Sequence, residues 1–113
     1  LMDSQIESWQ HKIRTLAPII ENAEFGVFKA DADIKRLQAQ LEITAVSLGI
    51  KTIAGQKTHA ESDKSLYEAR LAYGVAKGKL SGLKVQLKSL EVGFEEWRTK
   101  MVNRREEQKR YGA

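Results

Sequence analysis

The chain has 113 residues, a formal net charge of +4 and no cysteine. Without cysteine there is no disulfide framework, no cysteine zinc site and no thiol chemistry. No apolar run reaches the ~18 residues of a membrane span, and residues 1–20 lack the apolar core of a signal peptide. With 30% charged residues, the composition predicts a single soluble, cytoplasmic domain over residues 1–113 with no membrane association.

The first half of the chain carries an unbroken heptad pattern, which predicts a long helix over residues 4–48. Ser4 and Glu7 fit a capping box at its start, and Gly49 fits the C′ position beyond its end. Pro18 falls at an outward f position and predicts a kink or, alternatively, the end of a short first helix. The predicted a positions are Ile6, Ile13, Ile20, Val27, Ile34, Leu41 and Leu48, and the predicted d positions are Trp9, Leu16, Ala23, Ala30, Leu37 and Thr44.

The second half predicts another long helix, over residues 60–110, after a connection at 49–59 that loses the period. Thr58 or Ser65 could cap this helix. No alternating strand pattern occurs, so the predicted fold class is all-α. The a positions are Leu66, Tyr73, Leu80, Leu87, Phe94 and Met101, and the d positions are Ala69, Ala76, Leu83, Leu90, Trp97 and Arg104.

Two helices of similar length joined by a short connection predict an antiparallel, coiled-coil-like hairpin. If the numbers of facing residues add to 110, Leu16 pairs with Phe94 and Ala30 pairs with Leu80. Small residues such as Ala30 then meet large ones, which keeps the packing close. Opposite charges flank this register, with Asp31 near Lys77.

Apolar residues outside the heptad seam, Phe25 and Val75 among them, need a partner. Gly74, Gly78 and Gly82 form a row at intervals of four, although glycine inside a helix costs about 1 kcal/mol relative to alanine. The row therefore predicts close packing of another helix, in a homo-oligomer whose interface contains these glycines. The alternative is a helix that is simply weak in its middle.

The search for catalytic chemistry finds no catalytic residue, metal site or cofactor site. His11 and His59 lie at opposite ends of the predicted hairpin and cannot share a metal. Neighbouring acidic pairs such as Glu95 and Glu96 point in different directions on a helix. The segment 74–80 lacks the spacing and the Ser/Thr of a P-loop. The sequence therefore predicts a protein that is not an enzyme.

Basic residues concentrate in the second half: residues 49–113 hold 14 basic and 8 acidic residues. Such an excess favours a polyanionic partner, although opposite charge in the two halves could also serve their pairing. Lysines with Thr52, Thr58 and His59 at the connection could hold phosphates, and arginines with aromatics at the C-terminus could bind a single strand. The candidate nucleic-acid-binding residues are Lys51, Lys57, Lys64, Arg98, Lys100, Arg104 and Arg105.

The order of these features resembles the phage recombination mediators of the UvsY type. The resemblance is carried by a long first helix, by Lys51-Thr52 in the connection and by a basic second helix whose tail reads Trp97-Arg98-Thr99-Lys100, Arg104-Arg105 and Tyr111-Gly112-Ala113. It implies a ring-like homo-oligomer that binds single-stranded DNA and helps to load a recombinase onto strands coated by single-strand-binding protein. It also implies DNA contacts near Lys51 and Lys57, without the family's aromatic pair at that place.

Two functions follow from the sequence. The first is an oligomeric, non-catalytic accessory protein of phage recombination or replication that binds single-stranded DNA, located in the host cytoplasm. The second is a coiled-coil interaction module, such as an adaptor, chaperone or inhibitor, whose partner is another protein.

Overall fold

The computed structural model describes residues 2–111, with side chains from residue 4 onward. These residues form three α-helices and no strand: α1 is Met2–Ser47, α2 is Ile53–Glu61 and α3 is Lys64–Arg110. The all-α prediction is confirmed. Leu1, Gly112 and Ala113 lie outside the described residues, so the end of the tail that carries the family resemblance does too.

The chain divides into two compact units. Unit 1 consists of Leu1–Ile20 and Gly82–Ala113, and unit 2 is Glu21–Ser81. Unit 1 therefore contains the first part of α1 and the last part of α3. Unit 2 contains the rest of both long helices, together with α2.

Burial along α1 follows the predicted heptads over most of its length. Leu16 is buried and the other seam residues from Ile6 to Leu41 are half-buried, and the helix is uninterrupted at Pro18. The alternative of a separate short first helix is therefore wrong. The pattern shifts at the end of α1, where Thr44 and Leu48 are exposed and Ala45 is fully buried.

Gly49 ends α1 as predicted. Its φ of 89° is in the left-handed region that glycine adopts without steric cost. The amide of Gly49 donates to the Val46 carbonyl, and the amide of Ile50 donates to the Ala45 carbonyl. These two bonds form a Schellman motif, in which the residue at the Ile50 position commonly packs on the residue at the Ala45 position. Ala45, which supplies a carbonyl to this motif, is fully buried, whereas the predicted seam residue Thr44 is exposed.

The predicted connection 49–59 is wrong in part, because it contains most of α2. The Thr52 side chain caps this helix by accepting a hydrogen bond from the Gly55 amide at 3.1 Å. The Gln56 side chain donates to the Ile50 carbonyl at 3.0 Å and ties α2 to the preceding turn. A helix of nine residues shows too little periodicity to be recognised from its apolar spacing.

The third helix begins at Lys64 rather than at residue 60, and neither predicted cap is used. Asp63 precedes the helix and accepts a hydrogen bond from the Ser65 amide at 2.8 Å. An aspartate is as good an N-cap as a serine or threonine, so Asp63, rather than Thr58 or Ser65, caps the start of α3. From Leu66 to Met101 the predicted a and d positions of α3 are buried or half-buried, and only Arg104 of the set is exposed.

The two helical segments of unit 1 run antiparallel. The Trp97 indole donates a hydrogen bond to the Gln5 side chain, and a Cβ atom at Gly93 would lie 2.7 Å from the Trp9 ring. In both contacts the numbers of the two residues add to 102, whereas the predicted register has a sum of 110. The predicted pairing of Leu16 with Phe94 is therefore wrong. The nearest register that places a residues opposite d residues has a sum of 103, one heptad from 110, and the two contacts join its d residues Trp9 and Trp97 to g residues beside the seam. The heptad pattern alone cannot distinguish registers one heptad apart.

Candidate nucleic-acid interface

The three predicted lysines of the connection lie on three different local structures of unit 2. Lys51 is in the turn before α2, Lys57 is on α2 and Lys64 is the first residue of α3, and all three are exposed. Lys64 lies 3.9 Å from the Glu68 carboxylate. Lys64 therefore has an acidic neighbour one turn along α3. In the described part of the chain, Lys51 and Lys57 have no ion pair.

The hydroxyl groups of this connection are already used by the helices. Thr58 donates its hydroxyl proton to the Ala54 carbonyl at 2.9 Å, and Thr52 accepts from the Gly55 amide. Ser62 donates to the His59 carbonyl at 2.8 Å. Phosphate contacts at this connection would depend chiefly on the two lysine ammonium groups.

The C-terminal part of α3, in unit 1, carries the denser cluster of cations. Arg98 donates a hydrogen bond to the Glu95 carboxylate at 3.0 Å, so this candidate residue is already paired within α3. Five further cations of this segment are exposed and make no ion pair within residues 2–111. They are Lys100, Arg104, Arg105, Lys109 and Arg110.

Helix geometry places four of these five cations in two rows. Residues four apart lie about 6 Å apart along the axis and nearly above one another. Lys100 and Arg104 therefore share one face, and Arg105 and Lys109 share another. Such rows suit contacts to successive phosphates, which fix position without reading the sequence.

The aromatic side chains of this segment are not equally available. The Trp97 ring lies 6.2 Å from the Phe94 ring at an interplanar angle of 29°, and its nitrogen is bonded to Gln5 at 2.6 Å. Trp97 is therefore half-buried in unit 1 and is poorly placed to stack on a base. Tyr111 is 79% exposed and is the aromatic side chain that could do so.

The predicted oligomer interface is open in the single chain. Gly74, Gly78 and Gly82 are exposed, and a Cβ atom at any of them would meet nothing within 4 Å. The apolar residues predicted to need a partner are all exposed as well, and they are Ile19, Phe25, Phe28, Ile43, Leu71, Val75, Val85 and Val92.

The ion pair expected between Asp31 and Lys77 is absent from the described residues. Asp31 bonds Lys35, one turn along α1, at 3.0 Å. Lys77 instead lies over the Tyr73 ring, 5.4 Å from its centre. Both contacts are local to one helix, where the partners are held close without ordering a second element.

Among residues 2–111 there is no group of three or more His, Asp or Glu side chains that could hold a metal ion. A groove on unit 1, lined by Ile13, Val92, Phe94 and several charged residues, has a volume of about 710 Å³ and is open to solvent. No described helix is both long enough and apolar enough to cross a membrane.

Comparison with protein-family models, with curated proteins and with solved structures found no match for this chain. The resemblance to the UvsY-type mediators therefore stays a prediction from short motifs.

Proposed function

We propose that this chain is a non-catalytic, self-associating helical-hairpin protein that binds single-stranded DNA through the backbone. The observation that carries the proposal is the set of five exposed cations without ion pairs on the last turns of α3, from Lys100 to Arg110. The same segment carries two exposed carboxylates, Glu106 and Glu107, which offset part of this charge. The remaining excess of exposed positive charge favours a partner of the opposite charge.

The two basic regions differ in what they offer a strand. The segment 100–110 presents two rows of cations and ends at the exposed Tyr111, a combination that suits phosphate contact with one stacked base. Lys51 and Lys57 add a second, weaker contact region. Self-association would join several weak sites and raise the avidity for a long strand.

The family resemblance extends this proposal to a mediator role. In that role the protein would act in phage recombination, beside a recombinase and a single-strand-binding protein in the host cytoplasm. The spare cations and the exposed apolar residues support an assembly on DNA.

Fluorescence anisotropy with a labelled single-stranded oligonucleotide at two salt concentrations tests the proposal. Binding should be indifferent to base sequence and steep in salt, with a log–log slope of about 0.7 per phosphate neutralised. Arg104→Ala with Arg105→Ala should lower the affinity on every sequence and reduce the slope by about 1.4. Lys79→Ala with Lys88→Ala is the matched control, because it removes the same charge outside both regions.

A second candidate function is the protein-interaction module, an adaptor, chaperone or inhibitor. The exposed large apolar residues favour it, since side chains such as Phe28 and Val75 are 69% and 73% exposed. The two candidates separate in the same experiment. If the wild type does not bind single strands at about 50 mM salt, the nucleic-acid proposal fails and the protein-interaction candidate replaces it.

A further inference from the structure

The outer side of α1 in unit 2 carries a continuous apolar strip, which we call the α1 outer face. Six apolar residues fall within about 60° of one another around the helix, given 3.6 residues per turn. Between the first and the last of them, no polar residue lies in that sector. The six are Phe25, Phe28, Ala32, Ala39, Ile43 and Val46.

This face has no partner within the described chain. Phe25 and Phe28 are 65% and 69% exposed, Ile43 is 67% exposed, and both alanines are exposed. The large residues lie towards the two ends of the strip and the alanines lie in its middle. Two helices can therefore approach closely at the alanines while the larger side chains fill the space on either side.

The charges beside the face differ on its two sides. Lys29 and Arg36 border one edge of the strip, and Asp31 and Glu42 border the other. Lys35 also lies on the acidic side, where it is bonded to Asp31 at 3.0 Å. Asp33 lies further round the helix, beyond the basic edge. One edge is therefore predominantly basic and the other predominantly acidic.

This division of charge favours a second copy of the chain as the partner and sets the relative direction of the two α1 helices. A two-fold axis parallel to α1 brings the basic edge of one copy against the acidic edge of the other. An antiparallel arrangement would instead place basic against basic and acidic against acidic. We propose that the α1 outer face docks a second copy of this chain, with the two α1 helices parallel and in register.

The proposed pairing also brings particular charges together at the two edges of the strip. Asp31 and Arg36 lie on opposite sides of the strip, so the parallel arrangement brings Asp31 of one copy towards Arg36 of the other. The Asp31–Lys35 contact is an exposed pair within one turn, of the kind that contributes little to stability. Asp31 is therefore able to exchange Lys35 for Arg36 of the partner subunit.

The inference deepens the self-association in the proposed function and rests on that part alone. Because the chain has no cysteine, single substitutions can report the arrangement. We expect Ala32→Cys and Ala39→Cys each to form a disulfide-linked dimer with its own kind, because the like positions face one another. Thr44→Cys is the control, since Thr44 is exposed but lies about 130° from the centre of the face.

Other arrangements give different cross-links. An antiparallel dimer centred on the same strip would link Ala32→Cys only to Ala39→Cys in a mixture, because like positions would be about 10 Å apart along the axis. A head-to-tail contact with α3 would link Ala32→Cys to Gly78→Cys. Either result, or no cross-link in variants whose circular dichroism matches the wild type, would overturn the proposal.

Charge exchange provides a second measurement. Arg36→Asp should lower the cross-linking yield of Ala32→Cys about fivefold, because the two symmetry-related attractions between Asp31 and Arg36 become repulsions. Adding Asp31→Arg should restore the yield, whereas a purely apolar contact would show no recovery.

Light scattering and anisotropy on the same variants separate this inference from the proposed function. If light scattering shows oligomers but the expected cross-links do not form, the α1 outer face is not the interface, and self-association through another surface is retained. Cross-linked dimers that do not bind single-stranded DNA would reject the nucleic-acid proposal and leave the dimer standing.

Discussion

The indole nitrogen of Trp97 donates a 2.6 Å hydrogen bond to the side-chain oxygen of Gln5, residues that are 92 positions apart in the chain. The bond joins the start of α1 to the last third of α3 within unit 1. With the close approach of Gly93 to Trp9, it fixes the alignment of the two segments. These contacts motivate the first two predictions.

Trp97→Phe should lower the free energy of unfolding by about 1 kcal/mol, because it removes the donor and retains most of the ring. Urea denaturation followed by circular dichroism measures the loss. In the Trp97→Phe background, Gln5→Ala should cost almost nothing more, as a double-mutant cycle on a direct contact requires. Two additive losses would show that the bond contributes nothing.

Gly93→Ala should destabilise the protein, although alanine is the better helix former. Its Cβ would lie 2.7 Å from the Cη2 atom and 3.2 Å from the Cζ3 atom of Trp9, so the indole must move. Gly26→Ala is the control, since a Cβ there meets nothing within 4 Å. We expect the control to gain up to about 1 kcal/mol and Gly93→Ala to lose about 1–3 kcal/mol. Equal melting temperatures for the two variants would contradict the close contact.

Gly49→Ala should cost about 1–2 kcal/mol, because a side chain at a φ of 89° meets the following carbonyl. Gly49→Asn should cost less, since asparagine tolerates this region. Thermal unfolding of both variants tests the prediction. The expected order of melting temperature is glycine, asparagine, alanine, and any other order would argue against the left-handed conformation.

Leu66→Ala should cost about 2–5 kcal/mol, because Leu66 is fully buried in unit 2 and its truncation leaves a cavity. Leu71→Ala is the matched control on the same helix, where the side chain is 53% exposed. We expect that control to change stability by less than about 0.5 kcal/mol. Similar losses in the two variants, measured by urea denaturation, would contradict the difference in burial.

Several features of the candidate interface could have been read from local spacing. Lys64 and Glu68 are four residues apart, and Arg98 and Glu95 are three apart. Side chains at either spacing are neighbours on the surface of a helix. Asp63 before Lys64 is likewise a recognisable cap. By contrast, nothing near Trp97 in the sequence indicates its hydrogen bond to Gln5, which lies 92 positions away.

The sequence by itself determined the helical class, the buried stripe of each long helix and the end of α1 at Gly49. These features depend on periodicity and on one residue's backbone freedom, both of which are local properties. Only the tertiary structure decided the pairing of Trp9 with Gly93 in place of Leu16 with Phe94. A heptad seam repeats every seven residues, so neighbouring registers bury the same kinds of side chain, and the choice falls to single contacts between residues far apart in the chain.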